Sequence, residues 1–99
     1  MRVTAFPTTD ADALIWSLIG FAAEPDQNGM VVTKVRPNSP VARIGLRRGD
    51  RILGLSGAAV NSTAELRRKM IESRGARSVV LTVGRDQTGY NVQVPLARD

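Results

Sequence analysis

The segment Ser39-Pro40-Val41-Ala42-Arg43-Ile44-Gly45 limits this fold more than any other part of the chain. Ser39 can cap a helix with its hydroxyl, and Pro40 enters the first helical position with its φ angle already set. Gly45 takes the left-handed position that ends the helix. These residues therefore predict a very short helix. Before it, residues 30–36 (MVVTKVR) read as a strand rich in β-branched side chains, closed by Pro37. After it, Gly49-Asp50 turns the chain into a second strand at residues 51–55.

The remaining punctuation cuts the chain just as finely. Residues 2–6 alternate weakly and stop at Pro7, which reads as a short edge strand. Thr8, Thr9 and Asp10 are N-cap candidates ahead of apolar positions at Ala11, Leu14, Ile15 and Leu18, one or two helical turns ended by Gly20. Residues 21–23 are a short extended piece before the turn Pro25-Asp26-Gln27-Asn28-Gly29, whose Asn-Gly is a hairpin signal. Ser62 and Glu65 form a capping box for a helix over residues 63–74, with an apolar stripe at Leu66, Met70 and Ile71. Strands follow at residues 78–83 and 91–96, joined through Asp86-Gln87-Thr88-Gly89. Together these elements predict one small α+β domain: a strongly bent antiparallel sheet of five or six strands, capped by one short and one longer helix.

Composition excludes most catalytic chemistry. The 99 residues include no His and no Cys. There is thus no Ser-His-Asp triad, no thiol nucleophile and no Cys/His zinc site. Redox compartment is unreadable without cysteines. Asp10 and Asp12 stand two apart on a helix, where side chains do not face each other, so they make neither an acid/base pair nor a metal site. The net charge of +5 invites a nucleic-acid reading. Its distribution opposes that: residues 1–29 carry one base against four acids, and residues 30–99 carry 13 bases against five. The bases come in small groups rather than a tail, and the four aromatic residues are too few for base stacking. The longest apolar run, residues 13–23, is too short to span a membrane. No signal-peptide pattern opens the chain. A start that runs straight into a strand-like segment suggests a domain cut from a larger protein.

Three motifs arrive in order: Leu18-Ile19-Gly20-Phe21, then residues 39–53 (SPVARIGLRRGDRIL), then residues 61–70 (NSTAELRRKM). At these separations the chain resembles a bacterial-type PDZ domain, most like the C-terminal PDZ modules of HtrA/DegP-like serine proteases. The resemblance covers residues 14–96. It implies a non-catalytic module that binds apolar C-termini or extended segments of unfolded proteins by β-augmentation. It also implies a protease domain elsewhere in the parent chain, a periplasmic or cell-envelope location, and an isolated domain that is a monomer. No cofactor, metal or nucleic acid is implied.

Carried over by position, the amides of Ile19, Gly20 and Phe21 face the peptide carboxylate, with Leu18 opening the loop. Ile19, Phe21 and Ala23 line one wall of the groove, on the segment that includes Ala22. Thr63, Arg67 and Met70 line the other, with Met70 at the floor of the last-residue pocket. The residue chemistry supports this independently. Gly20 lets successive amides converge into an anion nest, an unpaired strand edge accepts an extended peptide, and Thr63, Arg67 and Met70 share one helical face. Plainer readings stand beside it: Gly20 as a helix terminator, Leu66 and Met70 as core, Trp16 as a half-buried anchor, Arg67 as a solvated cation. The chain departs from the resembling family in three ways. Leu18 stands where related loops often carry an aromatic, with Trp16 two residues earlier. The upstream segment is acidic rather than basic, which leaves Arg67 as the residue to reach a ligand carboxylate. Thr63 stands where related helices often carry a His, so selectivity for a ligand hydroxyl is not expected. An assembly or docking module whose groove is empty or filled by its own chain is the alternative.

Overall fold

Pro7 opens a helix where the sequence reading ends a strand. The computed structural model describes residues 7–96, and helix α1 spans Pro7–Leu14. Proline suits the first helical position because its missing N–H would be unpaired there anyway. Thr8, Thr9 and Asp10, expected as caps, lie within the helix. The strand expected at residues 2–6 falls outside the described residues. A π turn, Ile15–Ile19, continues α1, so the helical segment exceeds the expected one or two turns. The reason is a buried stripe at four-residue spacing: Ala11, Ile15 and Ile19 are all in the core.

The sheet is antiparallel. Its strands are β1 (Phe21–Asp26), β2 (Gly29–Val35), β3 (Arg51–Leu55), β4 (Ala58–Ala59), β5 (Ser78–Arg85) and β6 (Thr88–Pro95). Their order is β1-β2-β3-β5-β6, with β4 paired to β3, so β1 and β6 are its edges among the described residues. Register shifts at Ala22/Ala23 in β1 and between Ile52 and Gly54 in β3 add the bend. The expected strands at residues 78–83 and 91–96 prove longer, because Asp86 and Gln87 alone make their turn. Both have left-handed φ, 52° and 66°, so the hairpin turns in two residues and Thr88 and Gly89 join the ladder. Strand β4 went unread because two alanines carry little strand signal.

Helix α2 (Pro40–Arg43) forms as its sequence predicts. Ser39 Oγ accepts from the Ala42 amide at 3.2 Å, and Gly45 has φ +94° just past the end. Helix α3 (Thr63–Ser73) starts with Ser62 Oγ accepting from the Glu65 amide at 3.2 Å. Glu65 reaches back to the Asn61 amide at 2.7 Å, one residue further than the usual box. Leu66 and Met70 of α3 meet Phe21, Val32, Ile52 and Leu81 of the sheet in a single core.

An Asp–Arg pair ties the end of β1 to the start of β3. Arg51 donates to both carboxylate oxygens of Asp26, each at 2.8 Å, while Asp26 also accepts from the Asn28 amide. The hydrogen bonds from Arg51, then that from the Asn28 amide, hold the Asp26 carboxyl down at about 2. A folded-state value below the unfolded one means stability that is complete above the unfolded value and lost as pH falls through the folded value. The Asp26→Asn variant is therefore expected to unfold with a shallower pH dependence between pH 4 and about 2 than the parent chain. Urea midpoints measured across that window check it, and parallel pH profiles would contradict it.

Candidate functional site

Beside the edge strand β1, the sheet leaves a cleft of about 300 Å³ between β1 and α3. β1 supplies Phe21, Ala22, Ala23, Glu24 and Pro25, and α3 supplies Thr63, Leu66 and Arg67. The α3 residues fall at spacings of three and four, which is why one helix face presents all of them. Met30 of β2 adds its thioether, which accepts from Thr63 Oγ1 at 3.7 Å.

Backbone geometry defines what the β1 edge can offer. The Gly20 carbonyl accepts from the Arg36 amide at 2.8 Å, which orients Gly20 toward β2. By the alternation of an antiparallel ladder, the amides of Phe21 and Ala23 then turn away from β2, toward the open side. Pro25 has no amide to give, so it ends the stretch that can pair with another strand. The Gly20 amide itself donates to the Ile15 carbonyl at 2.7 Å, closing the π turn. In this conformation it is not free to join a carboxylate nest.

The same end of the cleft is closed by the N-terminal helix. Asp12 and Ile15 line the cleft from α1 and the π turn. Arg67 Nε and Nη2 donate to the two oxygens of Asp12 at 3.0 and 2.9 Å. Those hydrogen bonds raise the Arg67 pKa and commit its guanidinium to this pair. The Arg67 and Asp12 side chains are 32% and 53% exposed, so the pair contributes no more than about 1 kcal/mol and opens readily. With Arg67 neutralised by Asp12, Glu24 leaves the cleft slightly acidic.

Of the residues singled out in the sequence, Phe21, Ala22, Ala23, Thr63 and Arg67 come together at the cleft. Leu18, Ile19, Gly20 and Met70 do not line it. Ile19 and Met70 are fully buried in the core, and Leu18 packs against it. Gly20 sits against Ser39. Leu66, read only as core, is both buried and part of the cleft wall. Trp16, read as a half-buried anchor, is instead among the exposed large hydrophobic residues. Reasoning from sequence missed Asp12, whose partner lies 55 positions away, and Arg36. Arg36 donates to the Trp16 and Ser17 carbonyls at 2.9 and 3.1 Å, supplying partners at the helix end. No local spacing announces either contact.

This fold and groove place the chain in a known class. A family model described as a PDZ domain matches residues 17–96, and the chain belongs to that family. A PDZ domain is a protein-interaction module, and this one is of the bacterial, HtrA-like kind. It is 33% identical over 73 residues to a probable periplasmic serine protease, do/HhoA-like, of Haemophilus influenzae, covering 74% of this chain and 16% of that one. It is 48% identical over 46 residues to the periplasmic serine endoprotease DegP of Salmonella typhimurium, covering 46% and 10%. The chain thus spans a small fraction of these relatives' length. Among solved structures, it superposes on the HtrA3 PDZ domain bound to a phage-derived ligand (FGRWV) with a TM-score of 0.66 at 22% identity, covering 80% and 83% of the two chains. The serine endoprotease from Yersinia pestis gives 0.67 at 28% identity, covering 80% and 28%.

Proposed function

We propose that this domain captures extended apolar peptide segments, including protein C-termini, by adding them as a strand to β1. The observation that carries this reading is the edge of β1 that faces the cleft and is unpaired among the described residues, with Phe21 and Ala23 on one wall and Thr63 and Arg67 on the other. Main-chain bonds to the edge give affinity, and the cleft selects side chains. Binding is in the micromolar range, because a flexible peptide must be ordered. The parent protein is a periplasmic serine protease to which this module delivers, or reports, substrate. The HtrA3 complex supports the reading as a precedent in the same fold.

The carboxylate of a C-terminal ligand finds its cation only when Arg67 leaves Asp12. The test is titration with peptides ending in Val, Leu or Phe beside their C-terminal amides, followed by Trp16 fluorescence and amide chemical shifts. Expected are shifts confined to residues 18–23 and 63–71, and a preference for the acid that grows several-fold in the Asp12→Ala variant. Equal binding of acid and amide in both proteins overturns carboxylate capture and leaves strand addition standing. A second reading has its own observation: Ile19, Phe21 and Met70 are covered by the chain itself, as an assembly module with no open last-residue pocket would require. No peptide-induced shift at millimolar peptide would favour that reading over capture.

A further inference from the structure

A second cleft, of about 640 Å³, lies over the outer face of β3 and the β5–β6 hairpin and shares no residue with the first. Arg47, Arg48, Arg51 and Arg85 line it, with Leu53 exposed among them at 40%. The four arginines divide into two kinds. Arg51 is held by Asp26, and Arg85 by Asp50 and the Gly45 carbonyl. Arg47 and Arg48 are exposed, and among the described residues their side chains make no hydrogen bond or ion pair, although the charge of Arg47 is felt by Asp50. The paired arginines are scaffold. The other two are available cations, opposed within the cleft by Asp86 at the hairpin turn and, for Arg47, by the Asp50 carboxylate that Arg85 already holds.

The glycines of this hairpin are placed for space rather than for the backbone. Gly84 and Gly89 face each other across β5 and β6, and neither has a positive φ. A Cβ on Gly84 would meet Leu53 Cδ1 at 3.1 Å, and one on Gly89 would meet it at 3.6 Å. Meanwhile the adjoining turn uses Asp86 and Gln87 in left-handed conformations that glycine would adopt more easily. Glycine inside a strand weakens it, and often marks a close approach by a ligand or another backbone. Here the two glycines make room for the Leu53 side chain, which lies over them and stays 40% exposed to the cleft.

We propose that this cleft binds an acidic protein segment, with an aliphatic side chain resting on the exposed face of Leu53, where it lies over Gly84 and Gly89, and flanking carboxylates paired to Arg47 and Arg48. The shape and charge select this occupant over others. No aromatic residue lines the cleft, so it offers nucleic-acid bases no stacking surface. The apolar contact sits on the floor of a concavity, where a flat lipid surface does not reach. Arginine pairs carboxylates bidentately, and the two free guanidiniums are adjacent in sequence.

The test uses the isotope-labelled domain and an acetylated, amidated peptide, Asp-Glu-Leu-Asp-Glu, which has no terminal carboxylate. Expected are amide shifts at residues 47–53 and 84–89, with residues 21–24 and 63–67 undisturbed. The double variant Arg47→Glu/Arg48→Glu should weaken binding at least about tenfold. Gly89→Val should weaken it with the arginines intact, by crowding Leu53 out of the position that offers its apolar face. Binding that survives the double charge reversal overturns the proposal, as does no shift at millimolar peptide. Equal binding of a peptide with Ser in place of Leu overturns the role of Leu53. Vesicles rich in anionic lipid that bind where the peptide does not would assign the cleft to a membrane instead.

Discussion

Replacing Gly20 with alanine is expected to destabilise the domain by more than about 3 kcal/mol, a large part of the roughly 5–15 kcal/mol that holds a domain together. Two independent costs meet at this residue. Its φ of +113° is a conformation that a side chain strains by about 1–3 kcal/mol. A Cβ there would also lie 2.1 Å from the Ser39 Cβ and 2.2 Å from its Oγ, with Val41 at 3.4 Å. Ser39 cannot retreat, because it is fully buried and its hydroxyl caps α2. Urea unfolding should show a midpoint lowered by about 1–2 M for a domain of this size. An unchanged midpoint would mean that the Gly20–Ser39 approach does not exist in solution.

A partner substitution separates the two costs. Glycine is a tolerable N-cap, so Ser39→Gly alone should cost only a few tenths of a kcal/mol in cap strength. In the Gly20→Ala/Ser39→Gly double variant the collision is removed and only the φ strain remains. The double-mutant cycle should therefore return a favourable coupling of about 1–2 kcal/mol. The result bears on function as well as stability. Gly20 joins the π turn to β1, so the same contact sets the angle at which the binding edge leaves the helix.

What could be read from the sequence follows the range of the forces involved. Capping at Ser39 and Ser62, the proline at position 40 and the glycine at 45 act within four residues, and each predicted its helix. The β-branched run located β2 within a residue, and the Gly49-Asp50 turn located β3. Failures came where a distant partner decides. Pro7 reads as a strand terminator until the buried stripe Ala11, Ile15 and Ile19 shows that the helix continues inward. The groove wall was half legible. Thr63 and Arg67 follow from helical spacing, but whether Met70 or Leu66 reaches the surface depends on how α3 is rolled against the sheet. The structure rolls it so that Leu66 meets the cleft and Met70 is sealed beneath. Arg67 was singled out as the groove's cation, yet its pairing with Asp12 depends on α1 crossing toward α3. The remaining arginines show the same limit: Arg51 and Arg85 are bound to carboxylates more than twenty positions distant, which charge counting cannot see.

Asp50→Ala is expected to cost on the order of 3 kcal/mol, because it removes the acceptor that joins the α2–β3 loop to β5. The Asp50 carboxylate is 5% exposed and accepts three hydrogen bonds. Arg85 Nε and Nη2 donate at 2.8 and 2.6 Å, and the Arg47 amide at 2.9 Å. The Arg85 hydrogen bonds lower its pKa most; burial acts in the opposite direction, and the Arg47 amide lowers it further. With the folded value below the unfolded one, the contribution of Asp50 is present above the ordinary carboxylate range, about pH 4, and is lost as pH falls through the folded value. The Arg85→Ala variant gives the sharper reading. It removes the main cause that lowers the Asp50 pKa and leaves the burial that raises it. Its stability should therefore be reduced at neutral pH, with a slope below pH 5 flatter than that of the parent chain. Thermal unfolding of both variants from pH 3 to 7 measures this. If Arg85→Ala keeps the parental slope, Asp50 is not the group through which this loop feels acid, and the Arg85 bridge holds β5 by geometry alone.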